Sequence, residues 1–285
     1  LRGDSLTCLV RDVGSARRRL PFPARCHAWD HTRPVPAEAL RDADAVVHLA
    51  GEPVAEGRWN RGKKSLILDT RVQGTRRLVQ GVLEHGPGVT AFVHGSASGY
   101  YGDRRDERLD SASSKGRGFL ADVVQAWESE LLPLAARRPD VRLPVVRTGV
   151  VLARQGGAIA EMLPVFRLSA GGPLGDGRQW MAWIHLEDIT ALFVHALDGA
   201  PSGILDGVGV GEKLLHLVAP PLDDVTAESV LALRGEADVG HHRDARAHDP
   251  ADLLGTAHPA LELHGVGTGL LHEAAGGLER LCGGG

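Results

Sequence analysis

Short, almost continuously apolar runs alternate with helical patterns along most of this chain, and that alternation limits its fold more than any other feature. Leu6-Thr7-Cys8-Leu9-Val10 reads as a strand ended by Arg11-Asp12. Asp44 to Ala50 reads as a buried strand running into a turn at Gly51, Thr90 to Gly95 as a third strand, and Leu143 to Leu152 as a fourth. Between the second and third, Leu68, Val72, Leu78, Val79 and Val82 fall at helical spacing within Lys64 to Glu84. Val123, Val124, Trp127 and Leu131 do the same within Leu120 to Ala136, and Ile189, Leu192, Phe193 and Ala196 within Asp188 to Leu197. Strands that are apolar on both faces need cover on both faces. Strand and helix in alternation supply that cover, so the expected class is α/β with a parallel sheet.

Composition narrows the functional classes. Of the 285 residues, 43% are hydrophobic and 24% charged, and 32 basic residues stand against 36 acidic ones for a net charge of −4. That balance carries no basic footprint for nucleic acid, and no apolar run reaches the roughly 18 residues of a membrane span. Cys8, Cys26 and Cys282 lack metal-ligand spacing, and an odd number of cysteines cannot close a disulfide framework, so a reducing cytoplasm is expected. The chain opens at Leu1 with neither an initiator Met nor a charged-then-apolar leader, which reads as a chain joined partway through.

The tail changes character. No Phe, Trp or Tyr follows Phe193, and six of the 14 histidines fall after residue 240. Aromatic side chains normally dominate core burial, so this stretch is expected to pack loosely. His241, His242 and His248 match no metal-ligand spacing and read as solvated. The expected division is 1–205 as one domain and 206–285 as a divergent C-terminal region.

Turns after parallel strands suggest a nucleotide ligand, yet the glycine fingerprint for one is absent. The nearest match, Gly116-Arg117-Gly118-Phe119-Leu120-Ala121, follows a Ser-rich loop rather than a strand, and Gly207 to Gly211 has the wrong spacing.

Several blocks, in order, resemble one family. They are Asp44 to Pro53, then Arg58-Trp59-Asn60, then Arg71 with Gly74-Thr75, then Gly95-Ser96-Ala97-Ser98-Gly99-Tyr100-Tyr101-Gly102-Asp103. Val146 to Leu152, Gly171 to Gly177 and Trp183 to Asp188 complete the series. Together they resemble the atypical "epimerase family" branch of the extended short-chain dehydrogenases/reductases, NAD(P)-dependent epimerase/dehydratase-like proteins, over residues 1 to about 205. The resemblance implies a Rossmann-type doubly wound sheet in which Leu6 to Val10 is the second strand. The first strand, with its glycine loop, would then precede Leu1.

The resemblance also implies a cofactor and its contacts. Arg11 falls at the strand end that reads the adenosine ribose, where an arginine suits a 2′-phosphate, so NADP is expected, with NAD as the alternative. Leu49, Ala50, Gly51 and Glu52 fall where the cofactor passes the next strand. A solvated arginine and a structural turn are the plain alternatives for Arg11 and Gly51.

Catalysis departs from the pattern. The superfamily's Tyr-x-x-x-Lys pair, in which the ammonium lowers the phenol's pKa, is missing, because no tyrosine here stands four residues before a lysine. Ser96 and Tyr101 remain as candidate catalytic hydroxyls, able to donate hydrogen bonds to a substrate carbonyl. Asp122, Glu128 and His185 read as solvated helix-face or capping residues. The implied function is an NAD(P)-binding epimerase- or reductase-like protein acting on an unidentified small substrate, without nucleic-acid or membrane partners. The alternatives are a non-catalytic nucleotide-binding or regulatory module, or an inactive truncated product.

Overall fold

A computed structural model of the chain describes residues 3–153, 156–168, 171–172, 180–209 and 212–213. The glycine- and histidine-rich tail, Cys282, the block 173–177 and nearly all of the expected region 206–285 lie outside the described residues.

Four parallel strands form the largest sheet, in the order β3 (Ala45–His48), β4 (Ala91–Ala97), β5 (Pro144–Thr148) and β9 (Gly203–Gly207). Their side chains show why the strands read as continuously apolar. Phe92 and Val145 join the core on one face, while their neighbours Val93 and Val146 join the core on the other. Side chains alternate faces along a strand, so burial on both faces demands an apolar residue at every position.

Helix α3 (Arg61–His85) covers the first face with Leu78, Val79 and Val82. Asn60 caps it, its side-chain oxygen accepting from the Lys63 backbone N–H at 2.8 Å. Leu134 of α5 (Leu132–Arg137) joins the same core. Ile189 and Ala196 of α7 (Leu186–Asp198) cover the second face.

A second parallel pair, β1 (Thr7–Val10) and β2 (Arg25–Ala28), is joined through α1 (Val13–Arg19). Trp29, just past β2, is buried in the first core, and Leu9 packs against it. Helix α2 (Ala37–Leu40) contributes Leu40 to the same cluster. Among the described residues β1 pairs with β2 alone and β3 with β4 alone.

Two elements differ from the sequence reading. Leu143 to Leu152 is not one strand: β5 ends at Thr148, and β6 (Val150–Ala153) pairs with β8 (Trp183–His185) instead. The switch occurs at Gly149, where a Cβ would sit 2.8 Å from the Ala182 carbonyl oxygen. Only glycine tolerates that approach. The helical pattern of Leu120 to Ala136 also divides, into α4 (Phe119–Ser129) and α5. Pro133 sits in the first turn of α5, where its missing N–H costs nothing, but it cannot donate into a continuing α4 ladder. Helix α6 (Gly157–Arg167), a 3-10 turn over Ser98–Tyr101, and the antiparallel pair of β7 (Trp180–Met181) with β10 (Glu212–Lys213) complete the described elements. Among the described residues no helix is long and apolar enough to cross a membrane.

Candidate functional site

The strands of the main sheet run parallel, so their C-terminal ends share one edge, the side where open α/β sheets bind ligands. The segment leaving β3 is clasped to α3 at this edge. The Glu52 backbone N–H donates to Thr70 Oγ1 at 3.1 Å, and Arg71 Nη1 donates to the Glu52 carbonyl at 2.9 Å. Lys63 Nζ meets Glu52 Oε1 at 2.7 Å, with both side chains largely buried. Leu49 packs against Gly95 of β4, where a Cβ would lie 2.9 Å from Leu49 Cδ2, and Ala50 packs on the first core. Gly51 lies under the Arg71 guanidinium, whose atoms would stand 3.1–3.3 Å from a Cβ. The same guanidinium lies over the Trp127 ring at 5.0 Å. Burial lowers the Arg71 pKa to about 10 against the opposing pull of Glu52. The four residues assigned here from sequence are therefore a rigid corner, and Glu52 is neutralised by Lys63.

Next to it, the ends of β4, β5 and β9 hold one ionic network. Arg147 of β5 is buried and grips Glu128 of α4 through Nε to Oε1 at 2.9 Å and Nη2 to Oε2 at 2.8 Å. Its Nη1 donates to the Tyr101 hydroxyl at 3.0 Å, and that hydroxyl donates to Asp206 Oδ1 of β9 at 2.7 Å. Ser96 Oγ donates to Glu128 Oε1 at 2.6 Å. The guanidinium also stacks on the Tyr100 ring, 3.5 Å from its centroid. Burial, seconded by Asp206, raises the Tyr101 phenol above its ordinary value, although the Arg147 bond opposes the shift. Burial likewise raises Asp206. For Arg147, burial pulls the pKa down, but the bonds to Glu128 and Tyr101 overcome it and the net shift is upward.

The structure brings Ser96 and Tyr101 into this single network, with each hydroxyl proton directed at a carboxylate. Glu128 does not face solvent as its helix position suggested; it is the shared acceptor for Ser96 and Arg147. Arg147 and Asp206 were missed as functional candidates. A signal for Arg147 existed, since a charged residue within the apolar run Val145-Val146-Arg147 needs a buried partner. Asp122 behaves as read, an exposed helix-face carboxylate paired with Lys115. His185 does too, capping α7 with Nδ1 accepting from the Glu187 N–H at 3.3 Å.

Behind the network lies a buried histidine pair. His48 Nε2 and Trp127 Nε1 both bond Thr75 Oγ1, at 2.8 and 2.7 Å. The His94 ring packs 5.4 Å from His48 and 4.8 Å from Trp127, centroid to centroid. Burial lowers His48 to about 4 and carries His94 well below its ordinary value. Both rings are neutral at physiological pH.

Arg11 follows β1 directly and is exposed. Asp12 beside it is occupied as the N-cap of α1, its Oδ1 accepting from the Ser15 N–H at 3.1 Å. That carboxylate is thereby committed to the helix.

Parallel strands flanked by helices, with the polar groups gathered at the strands' C-terminal ends, define a Rossmann-type α/β protein. The profile of the NAD dependent epimerase/dehydratase family matches residues 2–119. Human epimerase family protein SDR39U1 is 36% identical over 215 residues, covering 72% of this chain and 70% of the human one. The chain belongs to this epimerase family. An epimerase family protein of Mycobacterium leprae is 38% identical over 181 residues, covering 63% of this chain. The chain spans only 58% of that relative's length. The crystal structure of human SDR39U1 (isoform 2) with NADPH superposes with a TM-score of 0.57 at 32% identity, covering 72% of this chain and 65% of the human one.

Proposed function

We propose that this chain binds a nicotinamide dinucleotide, NADP in preference to NAD, and serves as an epimerase- or reductase-like protein for a small-molecule substrate. The observation that carries this reading is the placement of an exposed arginine, Arg11, directly after β1, the strand end that reads the adenosine ribose in Rossmann-type proteins. An acidic residue at that strand end would favour a free ribose hydroxyl, whereas an arginine there suits a 2′-phosphate. The human relative whose structure contains NADPH supports the same cofactor class. Leu49, Ala50, Gly51 and Glu52 would form the wall the dinucleotide passes, held in place by Arg71 and Lys63. When bound, the group supplies hydride transfer.

Ser96 and Tyr101 are proposed as the hydroxyls nearest the chemistry. A phenol raised by burial keeps its proton, so Tyr101 suits hydrogen-bond donation to a substrate oxygen better than proton abstraction. To do so it would exchange Asp206 for substrate. The cellular setting proposed is the cytoplasm, and no nucleic-acid or membrane partner is proposed.

A second reading, a nucleotide-binding module without chemistry, is favoured by α4. Its sequence Phe119-Leu120-Ala121-Asp122-Val123-Val124 offers neither phenol nor ammonium where the superfamily carries both. Calorimetric titration with NADPH and NADH tests the common core of the two readings. NADPH should bind more tightly, and Arg11→Ala should remove most of the difference, about 1–3 kcal/mol for a charged hydrogen bond. Equal affinities in the parent protein would overturn the NADP assignment. Absence of binding to either dinucleotide would overturn both readings.

A further inference from the structure

Two of the chain's three cysteines face each other across a strand pair. In the β1–β2 ladder Cys8 is the register partner of Cys26, between Thr7↔Arg25 and Leu9↔His27. Register partners on neighbouring strands project to the same face. Adjacent strands lie about 4.8 Å apart, inside the roughly 4.4–6.8 Å between Cα atoms that a disulfide spans. Both thiols are free and partly exposed. Burial raises the Cys8 thiol above its ordinary value, and the neighbouring Cys26 adds to the rise. Neither thiol has any part in the dinucleotide reading.

We infer that Cys8 and Cys26 form a dithiol modification site that a hydroperoxide closes into a cross-strand disulfide. One thiolate attacks the peroxide O–O bond, which breaks to leave a sulfenic acid and, after protonation, one water. The second sulfur attacks the sulfenic sulfur, forming the S–S bond and expelling the hydroxyl as a second water. In balance, two thiols and one hydrogen peroxide give one disulfide and two waters, and the two electrons lost by sulfur reduce the peroxide. Closure asks the two Cβ atoms to approach to within about 4.5 Å, a shift of under about 1 Å. The partner already stands on the same face, so the second step is intramolecular and outruns further oxidation to the sulfinic acid. The bond would tie β1 to β2 just ahead of Arg11. In a reducing compartment such a bond is transient, as expected of a redox-responsive pair.

The test uses the full chain, with Cys282→Ser so that only Cys8 and Cys26 remain. Excess hydrogen peroxide should remove about 2 Da, the mass of two hydrogens. Under non-reducing conditions the tryptic peptides 3–11 and 26–41 should travel as one species that a reductant separates. Closure should accelerate as pH rises, because a raised thiol pKa leaves less thiolate at neutral pH. Adding Cys8→Ser should abolish the linked species. Should Cys282→Ser fold poorly, the same peptide pair is read in the unsubstituted chain. Oxygen adducts without linked peptides, linkage only between two separate chains, or no change in mass would each overturn the proposal.

Discussion

Arg147 and Glu128 meet as a two-pronged ion pair, 2.9 and 2.8 Å, with the arginine side chain only 4% and the glutamate side chain 15% exposed. A pair this deep is expensive to halve. Removing one partner leaves a buried charge uncompensated, a loss of about 3–5 kcal/mol, whereas exchanging both for apolar residues is close to neutral. Arg147→Met should therefore destabilise strongly, and Arg147→Met with Glu128→Leu should recover much of the loss. Urea unfolding of the four proteins in the cycle measures the coupling. Single variants that each cost under about 1 kcal/mol would show that the pair is solvated rather than buried.

The buried histidines should make the fold acid-sensitive. Burial holds His48 down at about 4 and His94 well below its ordinary value, so both are neutral when folded. The unfolded chain titrates near 6.5. Below that pH the unfolded state binds more protons, so stability falls as pH drops from about 6.5 toward 4, by up to about 3 kcal/mol from His48 alone. His94 has neither ring nitrogen in a hydrogen bond. Replacing it by an apolar side chain thus forfeits little, and His94→Leu should hold stability at pH 7 to within about 1 kcal/mol while flattening the acid slope. Thermal melts across this range check both statements. An unchanged slope in the variant would mean that His94 does not titrate with unfolding.

Some of this architecture was legible in the sequence for a clear physical reason. β4 and β5 are covered on both faces, so Phe92, Val93, Val145 and Val146 announce themselves as a continuous apolar run. β2 carries no such run, because Arg25 and Ala28 at its ends are exposed. The break at Gly149 was hidden, since Val150-Val151-Leu152 continues the apolar pattern and the reason for the break is a distant backbone, that of Ala182. That Ser96 and Tyr101 lie at a strand end was legible because both follow the apolar run of β4. Glu128 was misread because its helix position looks solvated, and only the fold brings Arg147 to it.

The loop between Tyr101 and α4 depends on one close approach. Gly116 donates its N–H to the Tyr100 carbonyl at 3.0 Å, and a Cβ on it would fall 1.8 Å from the Tyr101 carbonyl oxygen. No side chain fits there, so Gly116→Ala must push the loop off the turn that carries Tyr100 and Tyr101. We expect a loss in the upper part of the usual range for single substitutions, about 2–3 kcal/mol, and new proteolytic cleavage within residues 103–115. Near-UV circular dichroism should change as well, since Tyr100 and Tyr101 are the chain's only tyrosines. A variant with parental stability and an unchanged digest would place the loop elsewhere.

Arg71 supports the proposed cofactor wall without belonging to the chemistry. Its guanidinium lies between Gly51 and the Trp127 ring and donates to the carbonyls of Glu52 and Ile67, at 2.9 and 3.3 Å. A planar group is needed for that position, and an ammonium can neither stack nor donate in the same plane. Arg71→Lys should therefore behave as a non-conservative change. It should loosen the 49–52 corner, destabilise the fold by about 1–2 kcal/mol, and weaken NADPH binding more than that of a variant altered at the exposed Arg76. Arg76, five residues further along α3, pairs with Glu130 at the surface, so Arg76→Lys controls for the same exchange on the same helix. Calorimetric titration of both variants decides the matter. Equal weakening, or none in Arg71→Lys, would show that the corner's shape does not depend on the guanidinium.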